Sequence, residues 1–385
     1  MKKEINMLFA LLRCAVFGEN LSEHDKNEAV EKSQLLYAMA RHHDLAHLLD
    51  YAYKTNGISA NNEETAFKFI KQQAMAVLRY ENINLALGNI SSLFEEEHIP
   101  FIPLKGAVIR EMYPEPWMRT SCDIDVLVQE NDLDRAEKAI VEKLGFVSKS
   151  ERNYHDISLY LDDVHLELHF NIKENMENID PLLSKVWEYA SPKKEGGFEY
   201  VLTNEFLIFQ HIAHLSYHVV NGGIGIKAFM DLHLLESKLE VDKSVLYKML
   251  DEGNLRTLYE MSLKLSNVWF SDAEHDDVIL VYQRYILNGG TFGTKMNAIA
   301  ANSNKKGTFS YVSGRIFMPY EQLCITYPSL KGRKYLLPFY QVKRWCRILT
   351  KRRYINVGEE IRANKSVSVE NMSEYSKLLE SLNLK

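Results

Sequence analysis

Cysteine is scarce in this chain, and the four present, Cys14, Cys122, Cys324 and Cys346, are widely scattered with no CxxC pair. That excludes a disulfide scaffold and fits a reducing, cytoplasmic setting. No apolar run approaches the roughly 20 uninterrupted positions of a membrane helix, so no integral membrane association is expected. Charge of one sign is also lacking: 46 Lys and Arg against 52 Asp and Glu leave a net charge of −6, which excludes a general nucleic-acid coat. There is no internal repeat and no low-complexity segment. With 46% hydrophobic residues over 385 positions, the composition is that of a soluble globular protein of two or three structural units rather than a disordered, collagenous or coiled-coil chain.

What is present falls into three stretches. From Ile5 to about Glu97 apolar residues recur at helical spacing, as in LLYAMARHHDLAHLLDYAY, with almost no Gly or Pro. The opening segment, MKKEINMLFALLRCAVFGEN, reads as an amphipathic helix because Arg13 interrupts its apolar stretch and no small-residue cleavage site follows. Residues 1–95 are therefore expected to be an N-terminal helical region. After His98 the pattern changes to short strands, IPFIPLKG, CDIDVLV and VHLELHF, with YHDISLYLDD forming a hairpin into the last of these. AVIREMY after Gly106 reads as a helix, and DLDRAEKAIVEKLGF as a second one that starts near Asp132 and stops at Gly145. This strand and helix alternation defines a catalytic core at 96–175. Residues 176–385 read as helical again. The expected helices include ENMENIDPLLSKVWEYA, one opened by Thr203 or Asn204, and another after the break at Asn221 to Gly225. The expected fold is α+β, a small mixed sheet framed by helical regions on both sides.

Asp123 and Asp125 are two residues apart in a strand whose other members are apolar, so a period of two puts both carboxylates on one face and Ile124 on the other. The same alternation puts His165, Glu167 and His169 on one side of VHLELHF. If these strands are neighbours, Glu167 completes a cluster of three carboxylates. Such a cluster makes physical sense when a divalent cation neutralises it, and oxygen donors favour Mg²⁺ or Mn²⁺. Upstream, LKGAVI turns at Gly106, with Lys105 and Arg119 on either side in sequence and able to carry the charge of a triphosphate. Strand, glycine, helix, then a strand with paired aspartates is a layout for metal-assisted nucleotidyl transfer.

The stretch LKGAVIREMYPEPWMRTSCDIDVLV resembles the signature of an uncharacterised bacterial nucleotidyltransferase family related to the polymerase-β superfamily. The likeness continues in HLELHF, in GGIGIKAFMDLHLL, in NGGTFG and in YPSLKGRKYLLPFYQVKRWCRIL, from about Leu85 onward. It implies a polymerase-β-like core that moves a nucleoside monophosphate from an NTP, with ATP as the default, to an acceptor hydroxyl, releasing pyrophosphate with the aid of two metals. Asp123, Asp125 and Glu167 would hold the metals, and Glu167 would act as base. Lys105, Gly106, Arg119, Ser121 and Lys227 would meet the nucleotide, with His169 and Asp231 behind them. The acceptor would be a small molecule, a sugar or a protein.

Ala107 and Glu167 depart from the superfamily's usual Gly/Ser and third Asp, which motivates a second reading, a catalytically inactive nucleotide-binding or regulatory protein of the same fold. A third is a polyanion-binding module. It rests on nine Lys or Arg between Lys331 and Arg353 interleaved with Tyr335, Phe339, Tyr340 and Trp345, a pattern that an amphipathic helix with wet charges also explains. His211, His214 and His218 share a helix face but lack the glutamate of a zinc protease motif, and read as helix-interface residues. Lys227 and Asp231 have the spacing of an ordinary surface ion pair.

Overall fold

The computed structural model describes residues 2–148, 153–271, 273–291, 297, 318, 320, 323–324, 327–330, 332–350 and 369–384. The chain opens with α1 (Lys2–Phe17), α2 (Glu23–Glu31), α3 (Ser33–His42), α4 (Ala46–Thr55) and the long α5 (Glu63–Glu96). Ser22 and Asn62 cap α2 and α5, their side chains accepting from the backbone N–H of Asp25 and Thr65. β1 (Phe101–Pro103) leads into the short α6 (Gly106–Ile109). β2 (Ile124–Val128), α7 (Leu133–Leu144), β3 (Val147–Ser148), β4 (Asp156–Leu161) and β5 (Val164–His169) complete the strand-rich part. Then come α8 (Asp180–Leu183), β6 (Ala190–Pro192), β7 (Tyr200–Leu202), α9 (Asn204–Val220), α10 (Ile226–Lys238), α11 (Lys243–Glu252), α12 (Arg256–Phe270) and α13 (Asp277–Gly289). α14 (Leu337–Thr350) and α15 (Val369–Ser381) lie nearer the C-terminus.

The fold is α+β, with one small mixed sheet in the order β1-β2-β5-β4-β3. β1 runs antiparallel to β2, β2 parallel to β5, and β5 and β4 form the expected hairpin. Gly145, at φ 75°, ends α7 in the left-handed conformation that glycine adopts at least cost. Asp132 stands at the N-cap position of α7 but makes no capping hydrogen bond; its carboxylate is 3.3 Å from Arg135 instead.

Two cores explain where the site sits. Ile124, Val126 and Val128 of β2, with Leu166 and Leu168 of β5, pack against α5 and α7. Ile102 and Leu127, on the opposite face of the sheet, belong to a larger core shared by α1, α3, α4 and α9 to α13. The N-terminal and C-terminal helices thus bury their apolar faces together against one side of the sheet. The carboxylates of β2 and β5 share that side and lie at the seam between sheet and helical body.

Three expectations change. The helix expected over ENMENIDPLLSKVWEYA is two short helical turns, because Asn175 has a positive φ of 58° and Pro181 lacks the N–H a continuing helix needs. The hairpin of β6 and β7 follows, so 176–385 is not purely helical, and this hairpin reaches the main sheet through a bridge between Phe101 and Glu199. AVIREMY is one α turn followed by a 3₁₀ turn. In the basic segment, residues 331 and 351–353 lie outside the described residues, as do residues 292–293 of NGGTFG. Tyr340 packs against Tyr327, the rings tilted at 45°, in a small separate cluster, while Tyr335 and Phe339 are exposed. Among the described residues no helix is long and apolar enough to cross a membrane.

Candidate active site

Asp125 and Glu167 are direct partners across the parallel β2 and β5 pair, and Asp123 immediately precedes β2. A neighbouring register is what period-two alternation needs to put all three carboxylates on one face. Among the described residues three groups of side chains could hold a metal ion: Asp123 with His165 and Glu167, Asp125 with Glu167 and His169, and His155 with Asp156 and His169, the donor atoms in each lying within 4.8 Å of one another. Glu167 belongs to the first two groups, so the carboxylates form one continuous site. The donor set, two carboxylates and an imidazole in each of those groups, suits a divalent ion.

The carboxylates differ in environment. Asp123 is pushed up from the usual aspartate range by burial and by the charges of Asp125 and Glu167. Burial also disfavours the Asp125 charge, but Lys105 and the His169 hydrogen bond outweigh it and hold Asp125 well below that range. Lys105 Nζ lies 4.0 Å from Asp125 Oδ1. His169 Nε2 lies 2.9 Å from the same oxygen and 3.6 Å from Glu167 Oε2. Burial lowers the His169 pKa, but these two carboxylates raise it to about 9, and Nε2 donates to Asp125. Burial opposes the Lys105 charge too, and Asp125 and Glu174 win, raising its pKa.

The turn at Lys105 and Gly106 differs from expectation. Lys105, not Gly106, carries the unusual backbone, with φ 41° and ψ −105°, a conformation that costs on the order of 1–3 kcal/mol and clusters at functional sites. Gly106 is required for space: a Cβ there would stand 2.7 Å from Arg119 Nη1 and 3.6 Å from Arg110 Nη2. Arg110, which sequence reasoning passed over, donates to Gly106 O at 2.7 Å and to Ser121 Oγ at 2.9 Å, tying the turn to the segment before Asp123. Behind the turn Arg79, Tyr80, Arg110, Arg119, Thr120 and Ser121 line a closed-up crevice that has no room for a water molecule.

Two residues expected at the nucleotide are engaged elsewhere. Arg119 donates from Nε and Nη2 to Asp231 at 2.8–3.1 Å, and Tyr113 Oη donates to the same carboxylate at 2.8 Å. Lys227 Nζ donates to Thr120 O at 2.7 Å, so Lys227 and Asp231 are not paired with each other as their spacing suggested. Thr120 Oγ1 in turn donates to Asp44 at 2.9 Å, and His47 Nε2 donates to Met118 O at 2.8 Å. All of these pin the loop between α6 and β2 to α10 and to the α3–α4 region, which fixes where Asp123 begins. An isolated i, i+4 spacing could not reveal partners brought in by tertiary packing.

The helical side of the cleft carries a chain of three groups. His214 Nδ1 lies 2.8 Å from Glu174 Oε1, and His214 Nε2 lies 3.1 Å from His218 Nε2. Burial and the Lys105 charge lower the pKa of His214, and burial and His214 lower that of His218 to about 3. Glu174 has burial against it and His214 in its favour, with a net lowering. His211 is a satisfied interface residue, its Nε2 donating to Ala228 O at 2.8 Å. His165 is part of the Asp123 and Glu167 group, with its ring stacked on Tyr160 at 4.5 Å.

Residues 30–271, well over half of the chain, match a family model described as an uncharacterised nucleotidyltransferase. The match begins within the N-terminal helices, earlier than the Leu85 read from motifs, and ends before NGGTFG and the basic tail. No curated protein matches the chain.

Proposed function

The chain belongs to a family of uncharacterised nucleotidyltransferases, and from that premise we propose that it moves a nucleoside monophosphate from an NTP, ATP by default, to an acceptor hydroxyl with release of pyrophosphate. The observation that carries this reading is the direct pairing of Asp125 with Glu167 beside Asp123, at a cleft edge that also holds Lys105. Asp123, Asp125 and Glu167 are the residues that would hold divalent cations, Mg²⁺ or Mn²⁺. When bound, such ions neutralise phosphate charge and lower the pKa of an attacking hydroxyl.

The side chains divide the remaining work. Lys105 supplies positive charge next to Asp125, and Arg110 fixes the turn beside it through Gly106 O and Ser121 Oγ. Glu167, half-buried at the mouth, accepts the acceptor proton. His169 orients Asp125 through its hydrogen bond. Arg119, Asp231 and Lys227 act as positioning residues for the loop that delivers Asp123. Glu174, His214 and His218, joined by hydrogen bonds and close enough to act on the charges of Lys105 and Asp125, would meet the acceptor, a small molecule, a sugar or a protein hydroxyl.

Calorimetry with each NTP, with and without Mg²⁺ or Mn²⁺, tests the reading on the wild type and on Asp123→Asn and Asp125→Asn. Binding that needs metal, together with a loss of pyrophosphate release of about 100-fold or more in either variant, is the expected result. Wild-type turnover in the double variant would sink it. A second reading, nucleotide binding without transfer, is favoured by Ala107 at the turn and by the engagement of Arg119 and Lys227 away from the cleft. Tight metal-dependent NTP binding with no pyrophosphate release for any hydroxyl acceptor would decide for it.

A further inference from the structure

We propose that His165 is a nitrogen ligand of the outer metal position, formed with Asp123 and Glu167, and that this position takes a first-row transition ion such as Mn²⁺ in preference to Mg²⁺. The inference rests on the transferase reading of the cluster but concerns which ion the site selects. His165 Nε2 lies 4.0 Å from Glu167 Oε1, and both fall with Asp123 in one group whose donors are within 4.8 Å of one another. Two donors each about 2.1 Å from a single ion can be up to about 4.2 Å apart, so these side chains reach one ion with small adjustments.

Two further observations point the same way. The Nε2 atom of His165 is enclosed and has no hydrogen-bond partner, although a histidine with no task at a strand surface would present that nitrogen to water. Its ring is also held: Tyr160, directly opposite on β4, stacks on it at 4.5 Å and 8°, which limits rotation away from Asp123 and Glu167. His169 differs, because its Nε2 already donates to Asp125 at 2.9 Å. On the face shared by the carboxylates, the inner group therefore offers a ring nitrogen already hydrogen-bonded to Asp125, while the outer group offers an unengaged one.

Ligand chemistry then gives selectivity. Mg²⁺ prefers oxygen donors in near-octahedral geometry and gives up water reluctantly. Imidazole raises affinity for first-row transition ions in the Irving–Williams order. A position of two carboxylates and one imidazole accordingly discriminates against Mg²⁺, whereas three carboxylates would not.

The test uses the full chain loaded with Mn²⁺ and no nucleotide. Pulsed EPR should show a directly coordinated ¹⁴N that disappears in His165→Gln and persists in His169→Gln. Calorimetry should show Mn²⁺ affinity weakened about tenfold or more in His165→Gln, with Mg²⁺ affinity nearly unchanged. His165→Asp should restore binding with the preference shifted towards Mg²⁺, and far-UV circular dichroism checks that each variant is folded. Absence of Mn²⁺ binding, absence of ¹⁴N coupling in the wild type, or coupling lost in His169→Gln but kept in His165→Gln would overturn the proposal. Nitrogen-coordinated Mn²⁺ in a chain that binds no NTP would leave the ligand assignment standing and remove the transferase reading. Metal-dependent NTP turnover with oxygen-only Mn²⁺ would do the reverse.

Discussion

Gly106 shows how a single atom of space is decided by a distant residue. Arg119 cannot swing away from a new Cβ at 106 without loosening its hydrogen bonds to Asp231. Gly106→Ala should therefore destabilise the fold by about 1–3 kcal/mol, read as a lower urea midpoint with unchanged slope, even though alanine is the better helix former. A variant as stable as the wild type would mean that the arginine relaxes freely. Lys105, beside it, holds a φ of 41° that no glycine relieves. The strained residue is the one whose ammonium faces Asp125, a common arrangement at functional sites.

At the scale of elements, the loop between α6 and β2 is held by side chains of α4, of α10 and of the turn between α3 and α4 in addition to its own hydrogen bonds. The Arg119 and Asp231 pair is its main anchor, and both side chains are buried. Asp231→Asn should cost about 3–5 kcal/mol in urea denaturation because it leaves an uncompensated buried guanidinium. Arg119→Met combined with Asp231→Leu should cost less than the sum of the two single changes, since neither charge is then stranded. Strictly additive losses would show that the two residues act independently. The anchor also explains why the sheet's acidic edge and the helical body meet in one place, as α10 supplies both Asp231 and Lys227.

The whole molecule carries an acid sensitivity that does not depend on the candidate site. His43 is buried, its Nε2 donating to Leu287 O at 3.2 Å, and burial, then the neighbouring His42 charge, push its pKa down to about 4. The unfolded chain takes up that proton near pH 6.5 and the folded chain only near 4. The stability this residue contributes is complete above pH 6.5 and declines as the pH falls towards 4, by up to about 1.4 kcal/mol per unit. His43→Gln should flatten the slope of unfolding free energy against pH in that window, and an unchanged slope would assign the acid lability to other groups. His43 joins α3 to the end of α13, so its protonation strains the contact between N-terminal and C-terminal helices that the larger core depends on.

Local patterning in the chain determined which residues share a face. Asp123 and Asp125, and likewise His165, Glu167 and His169, follow from a two-residue period that holds in any strand, and the hairpin into β5 and the Thr203 cap of α9 follow from equally short-range chemistry. Tertiary structure decided which faces meet. The parallel pairing of β2 with β5, the engagement of Arg119 by an aspartate 112 positions away, the approach of His214 to Glu174 and the use of Tyr160 as a platform for His165 depend on how the two cores pack. The physical reason is range: strand and helix periods are set by neighbouring backbone units, whereas a buried charge takes whichever partner the packed chain brings within hydrogen-bond distance.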